Sequence, residues 1–191
     1  MSTTARETAN AARRAAKDRA LFERLVRLSY AGIYNYVRWM SRDRGLAEDL
    51  TQETFMRVWE HLPELRNERA LKAWVFRVAR NEFLQRRRRA GLDTVPLQDS
   101  GGAEKADCSS PDPQINLERK SLRESVRAAV DKLPDGYREV IVLHNLEGLS
   151  LAEIARLLEI PKGTVKSRRA KALSMLRNLL QEEEAGNHEV R

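Results

Sequence analysis

Apolar residues recur along this chain at three- and four-residue steps and nowhere sustain a period of two, the pattern of amphipathic helices rather than strands. Leu21, Phe22, Leu25, Val26, Leu28, Ile33, Val37 and Met40 fall on one side of a first helix. Gly45 separates it from a second run, in which Leu46, Leu50, Thr54 and Val58 share a face while Phe55, Trp59 and Leu62 extend another, until Pro63 ends it. Leu71, Trp74, Val75, Val78, Ala79 and Phe83 begin a third helix that runs into Arg86, Arg87, Arg88 and Arg89 before Gly91. Residues 1 to 18 are rich in Ala and Arg without an apolar stripe, which predicts a frayed or loosely helical arm.

The character changes at residue 93. From there to 118 the chain holds Pro96, Gly101, Gly102, Pro111 and Pro113, several Ser and Asp, and almost no large apolar side chain. Such a segment buries too little surface to offset its ordering entropy, so a flexible linker is expected. Helical spacing then resumes with Leu122, Val126, Ala129, Val130 and Leu133 up to Pro134, and with Tyr137, Val140, Ile141 and His144 up to Gly148. Ser150 with Glu153 three residues on reads as a capping box, ahead of Ile154, Ala155, Leu157 and Leu158. Ile160, Pro161, Lys162 and Gly163 make a turn into a last helix bearing Val165, Arg169, Ala172, Leu173, Leu176, Leu179 and Leu180. The expected fold is all-α: two small helical domains joined by a flexible linker, the second with a helix-turn-helix. The expected boundaries are an arm at 1–18, a first domain at 19–92, an acidic linker at 93–118, a second domain at 119–184 and a tail at 185–191.

Composition narrows the chemistry. The 191 residues are 41% hydrophobic and 33% charged, with no apolar run long enough to span a bilayer and no apolar signal core at the start. No membrane insertion is expected, and the expected location is the cytoplasm. Cys108 is the single cysteine, which excludes an internal disulfide and a thiolate-rich zinc site. His61, His144 and His188 are scattered, with no metal-ligand spacing and no grouping of nucleophile, base and orienting residue. No cofactor, metal or enzymatic activity is therefore expected. The net charge of +7 is unevenly placed: residues 19 to 92 hold 16 cations against 9 anions, residues 93 to 118 hold 1 against 6, and residues 119 to 191 hold 14 against 11. Two basic blocks flanking an acidic connector suit a polyanionic partner, because each cation that meets a phosphate releases condensed counterions.

Three clusters could carry function. The segment from residue 150 to 180 has the capped helix, tight turn and second helix of a helix-turn-helix, the arrangement that lays its second helix in the DNA major groove. Lys162, Lys166, Arg168, Arg169 and Lys171 fall within ten residues that hold no acid, and Thr164 and Ser167 add short polar groups near the helix start. A merely solvated helix normally mixes signs. The second cluster sets Arg77, Arg80 and the run from Arg86 beside Trp74 and Phe76, cations with aromatics as in single-strand binding, although the same residues fit a core aromatic and a solvated helix end. In the third, residues 46 to 62, Glu48, Asp49, Gln52, Glu53 and Glu60 form an acidic face beside Phe55 and Trp59, which read as exposed. Taken alone, such carboxylates are more simply surface residues compensating a helix dipole than a docking face.

The order of DLTQETF, WVFRVARN, a degenerate linker and LPDGYREVIVLHNLEGLSLAEIARLLEIPKGTVKSRRAKAL resembles the extracytoplasmic-function sigma factors of the sigma-70 family, over about residues 20 to 182. The resemblance implies a protein that binds core RNA polymerase and directs promoter-specific transcription initiation, with an anti-sigma factor as a further expected partner. It implies that Asp49, Gln52, Glu53, Phe55 and Trp59 belong to a helix docking on the largest polymerase subunit. It implies further that Arg66 and Asn67, in a base-capturing loop, and Lys72, Trp74, Arg77, Arg80 and Asn81, on the following helix, meet the start-proximal promoter element. Lys162, Thr164, Lys166, Ser167, Arg168, Arg169 and Lys171 would read the upstream element. The capture loop of the family often holds an aromatic and a Gly, whereas Leu65, Arg66, Asn67 and Glu68 stand here. The competing reading is a helix-turn-helix repressor or activator that is not a polymerase subunit. Such regulators usually bind palindromes as two-fold dimers, whereas two basic blocks on one chain, joined by a linker able to span on the order of 80 Å, suit a bipartite promoter.

Overall fold

The computed structural model describes the backbone of residues 2–62, 71–91 and 113–189 and the side chains of residues 10–62, 71–91 and 122–182. Within these residues the chain forms helices and turns and no strand. It divides into two compact units, Met1–Gln98 and Asp99–Arg191.

The first unit packs α1 (Ser2–Ser41), α2 (Arg44–His61) and α3 (Leu71–Arg89) against one another. α1 is helical from Ser2, so the expected loose arm is the first part of a continuous helix. Its Ala and Arg residues favour helix without burial, and residues 10 to 20 are almost all exposed. The buried row is Leu25, Ser29, Ile33, Tyr36, Val37 and Met40. Leu28, expected in the core, is 70% exposed, because the row that faces inward advances from Leu25 by four to Ser29. The helix breaks at Arg42, which takes the left-handed conformation (φ 58°), and not at Gly45. Asp43 then caps α2, accepting the Leu46 amide at 2.9 Å, and Gly45 lies in the first turn. Below the break, Tyr36 and Phe76 meet edge to face at 5.8 Å, at the centre of a core with Leu50, Val58, Val75 and Phe83. The buried hydroxyls of Thr51 and Thr54 donate to the carbonyls of Ala47 and Leu50, so both are satisfied one turn back.

The second unit comprises α4 (Pro113–Asp131), α5 (Asp135–Ile141), a π-helical turn (Val142–Leu146), α6 (Leu151–Leu158) and α7 (Lys162–Glu189). α4 begins within the segment expected as linker, and α7 continues into the expected tail. Only the last turn of the expected α4 stripe is buried: Ala129, Val130 and Leu133 are covered, while Leu122 and Val126 are 62% and 39% exposed. α7 packs on α4, α5 and α6, sending Val165 and Ala172 into a core with Val140, Leu143, Leu149, Ile154 and Leu157. The π-helical turn tightens into Gly148 (φ 72°), where the Leu149 amide returns to the Leu143 carbonyl at 2.9 Å. His144 Nδ1 donates to the Leu149 carbonyl at 2.7 Å, so this half-buried histidine secures the turn that leads into α6.

A buried guanidinium holds the start of this unit together. α4 ends without a glycine cap, leaving carbonyls that need donors. Arg138, only 2% exposed, supplies them: Nε donates to Val130 O at 3.2 Å, and Nη2 donates to Asp131 O at 2.8 Å and to Leu133 O. Its other terminal nitrogen pairs with Asp135 Oδ1 at 2.9 Å, which joins α4 to the first turn of α5. Nothing in the spacing of apolar residues signals this arginine.

Candidate nucleic-acid interface

The helix-turn-helix forms as its local signals require. Ser150 accepts the Glu153 amide at 3.3 Å, and Glu153 accepts the Ser150 amide at 2.8 Å, which completes the capping box of α6. Glu159 ends the helix in the left-handed conformation (φ 57°), so the turn lies over residues 159 to 161 and Gly163 sits inside the first turn of α7. With Val165 and Ala172 facing the core, Lys162, Lys166, Ser167 and Lys171 are exposed and Thr164, Arg168 and Arg169 half-buried. Among the described residues, none of the five cations from Lys162 to Lys171 pairs with an acid. The Ser167 hydroxyl donates to Thr164 O at 3.0 Å, which leaves its lone pairs as acceptors facing solvent.

α3 bears the second group. Trp74, Arg77, Arg80 and Asn81 fall within about a third of the helix circumference, with Lys72 further round. Lys72, Arg77 and Asn81 are exposed, whereas Trp74 and Arg80 are half-buried, so Trp74 is partly a core residue. Lys72 Nζ lies 5.9 Å from the Phe76 ring centre, and the guanidinium of Arg87 lies 5.9 Å from that of Phe83. Arg66 and Asn67 lie outside the described residues.

α2 presents the third group. Asp49, Gln52 and Trp59 are exposed and Glu53 half-exposed, around Met56, which is 65% exposed at the centre of the face. Sequence reasoning passed over Met56, although it stands four residues beyond Gln52 on the same row. Phe55 corrects the expectation in the other direction: it is 6% exposed, stacked on Tyr30 at 5.8 Å and edge-on to Phe22 at 6.3 Å. Its ring therefore packs beneath the helix against α1. Trp59, edge-on to Phe22 at 5.1 Å, is 47% exposed. Glu53 pairs with Arg86 of α3 at 3.2 Å, and Arg57 with Glu82 at 3.6 Å, so ion pairs cross between the acidic and basic helices.

Residues 25–92 match the sigma-70 region 2 family and residues 123–176 the sigma-70 region 4 family. The chain is 36% identical over 181 residues to the ECF RNA polymerase sigma factor SigL of Mycobacterium tuberculosis H37Rv, covering 93% of this chain and 97% of that one. The chain belongs to the extracytoplasmic-function sigma factors. This sigma factor is also 32% identical over 174 residues to SigW of Bacillus subtilis, covering 86% and 91% of the two chains. With SigE of Mycolicibacterium smegmatis it shares 32% identity over 169 residues, 83% of this chain and 61% of that one. Its fold resembles that of the sigma factor RpoE in complex with the anti-sigma factor NepR from Bartonella quintana, at TM-score 0.67 and 27% identity, over 84% and 96% of the chains. CnrH in complex with the cytosolic domain of CnrY is similar at TM-score 0.60 and 26% identity, over 90% and 95%. These likenesses run across both units, which a shared helix-turn-helix alone would not produce, and they lend no support to the repressor or activator reading. Among the described residues no three His, Cys, Asp or Glu side chains converge as a metal site, and no helix is long and apolar enough to cross a membrane.

Proposed function

We propose that this sigma factor docks core RNA polymerase through the exposed face of α2, meets the start-proximal promoter element along α3, and reads the upstream element with α7. Promoter-directed initiation is the work of the family. On α2 the partner meets Asp49, Gln52, Glu53, Met56 and Trp59, an acidic ring around an apolar centre, while buried Phe55 keeps that face in place. On α3, Trp74, Arg77, Arg80 and Asn81, with Lys72 and the preceding Arg66 and Asn67, contact the start-proximal element. On α7, Lys162, Thr164, Lys166, Ser167, Arg168, Arg169 and Lys171 contact the upstream element. The boundaries 1–18, 19–92, 93–118, 119–184 and 185–191 remain the functional division, with residues 113 to 118 contributing the start of α4.

The observation that carries this reading is the row of cations on the second helix of a helix-turn-helix, paired with no acid among the described residues, in the same chain as a separate unit that has its own acidic and basic faces. The protein acts by binding and catalyses no reaction itself, it works in the cytoplasm beside the chromosome, and an anti-sigma factor restrains it by covering these surfaces. Charge reversal tests the α2 assignment. Asp49→Lys is expected to abolish co-purification with core polymerase while leaving the thermal melt unchanged, because Asp49 is exposed. Retention of the variant by core enzyme at the normal ratio would remove Asp49 from the interface.

A further inference from the structure

Two of the α7 cations rest on an element outside the helix-turn-helix. Lys171 Nζ stands 5.9 Å from the centre of the Tyr137 ring. The Arg168 guanidinium lies against Gly136, where a Cβ would come 3.5 Å from one terminal nitrogen and 3.7 Å from the central carbon. Gly136 and Tyr137 form the first turn of α5, whose position is fixed from below. The amides of Tyr137 and Arg138 donate to Pro134 O at 2.9 and 3.0 Å, and the buried Arg138 ties the same turn to the end of α4.

The choice of an aromatic ring and a bare backbone matters. A carboxylate in the same places would hold the two cations but cancel the charge that a phosphate requires. A ring face attracts an ammonium through its quadrupole while leaving the net charge and the N–H donors available. The glycine leaves room beside the backbone for the Arg168 guanidinium: a methyl there would stand in ordinary van der Waals contact with it, and a branched side chain adds bulk on that side. Lysine and arginine lose more rotamer freedom on binding than most residues, so a cation already confined beside α5 has less to lose when DNA arrives.

We infer that Gly136 and Tyr137 are positioning residues that preset Arg168 and Lys171 for the upstream promoter element. This rests on the assignment of α7 to that element. The test uses the full-length protein assembled with core polymerase and a promoter duplex selected from a library randomised over the upstream element. Tyr137→Leu is expected to weaken binding roughly two- to fivefold, the size of an exposed cation–π contact, while Tyr137→Phe, which keeps the ring face, stays near wild type. In a Lys171→Ala background, Tyr137→Leu should add nothing. Gly136→Val supplies an independent arm, weakening binding alone and adding nothing once Arg168 is Ala. Wild-type affinity for Tyr137→Leu and Gly136→Val, or losses that persist undiminished in the Lys171→Ala and Arg168→Ala backgrounds, would overturn the platform. Should Lys171→Ala and Arg168→Ala themselves leave binding unchanged, the failure lies with the α7 assignment and takes the platform with it.

Discussion

α3 and α7 are both long helices rich in arginine and lysine, yet their cations keep different company. On α3, Arg86 is held by Glu53 of α2, Glu82 holds Arg57 in return, and Lys72 and Arg87 lie near the rings of Phe76 and Phe83. On α7, the cations from Lys162 to Lys171 meet no acid among the described residues, and two of them rest on a tyrosine and a glycine. Charge density in the sequence makes these helices look alike. Their surroundings separate a basic helix partly woven into its own unit from one whose charge is left for a polyanion. In the proposed assignment the first meets the start-proximal element and the second reads the upstream duplex.

The sharpest way to break the comparison is to ask what holds each surface in place. The platform under α7 depends on one buried guanidinium, so Arg138→Ala should cost about 2 to 5 kcal/mol of stability, because it leaves the terminal carbonyls of α4 without donors. Urea unfolding followed separately in the two units checks this, with the loss confined to the second. A loss below about 1 kcal/mol would mean that water replaces the arginine without penalty. Next in size, Arg168→Ala should weaken promoter binding by about 1 to 3 kcal/mol with relaxed preference at one upstream position if it reads a base, or lower the salt slope by about one unit if it meets a phosphate. Quantitative binding across salt concentrations decides between these outcomes, and no change in either removes Arg168 from the interface. Smallest is the link between α2 and α3. A double-mutant cycle over Glu53→Gln and Arg86→Ala should give a stability coupling of about 0.2 to 1 kcal/mol, since both side chains are near half-exposed. A coupling well above that range would make the pair a structural strut and sharpen the contrast with α7.

How much of this was legible in the residues follows from the range of the interaction involved. The Ser150–Glu153 capping box spans one helical turn, and it forms where the sequence places it. The helix-turn-helix and the row of cations on α7 are equally local, and both were legible. The turns were harder, because the left-handed positions at Arg42 and Glu159 are not glycines, while Gly45 and Gly163 lie in first turns where helix is already established. Residue type misled at Leu28, where angular position on α1 outweighed hydrophobicity and Ser29 is buried in its stead. Phe55 was misread because its burial depends on Tyr30 and Phe22, more than twenty residues away in sequence. Arg138 was invisible for the same reason, since a charged residue enters a core only when distant carbonyls receive it. The contacts of Tyr137 and Gly136 with α7 likewise join parts of the chain that no periodicity connects.

The central claim is that one chain grips a promoter at two places while held on polymerase, and run-off transcription with purified core enzyme measures it directly. With a library of promoter templates, the protein is expected to direct initiation at defined start sites, with dependence on both an upstream and a start-proximal element. Failure to direct any start site, or selection of symmetric operators bound by two copies of the chain, would contradict it.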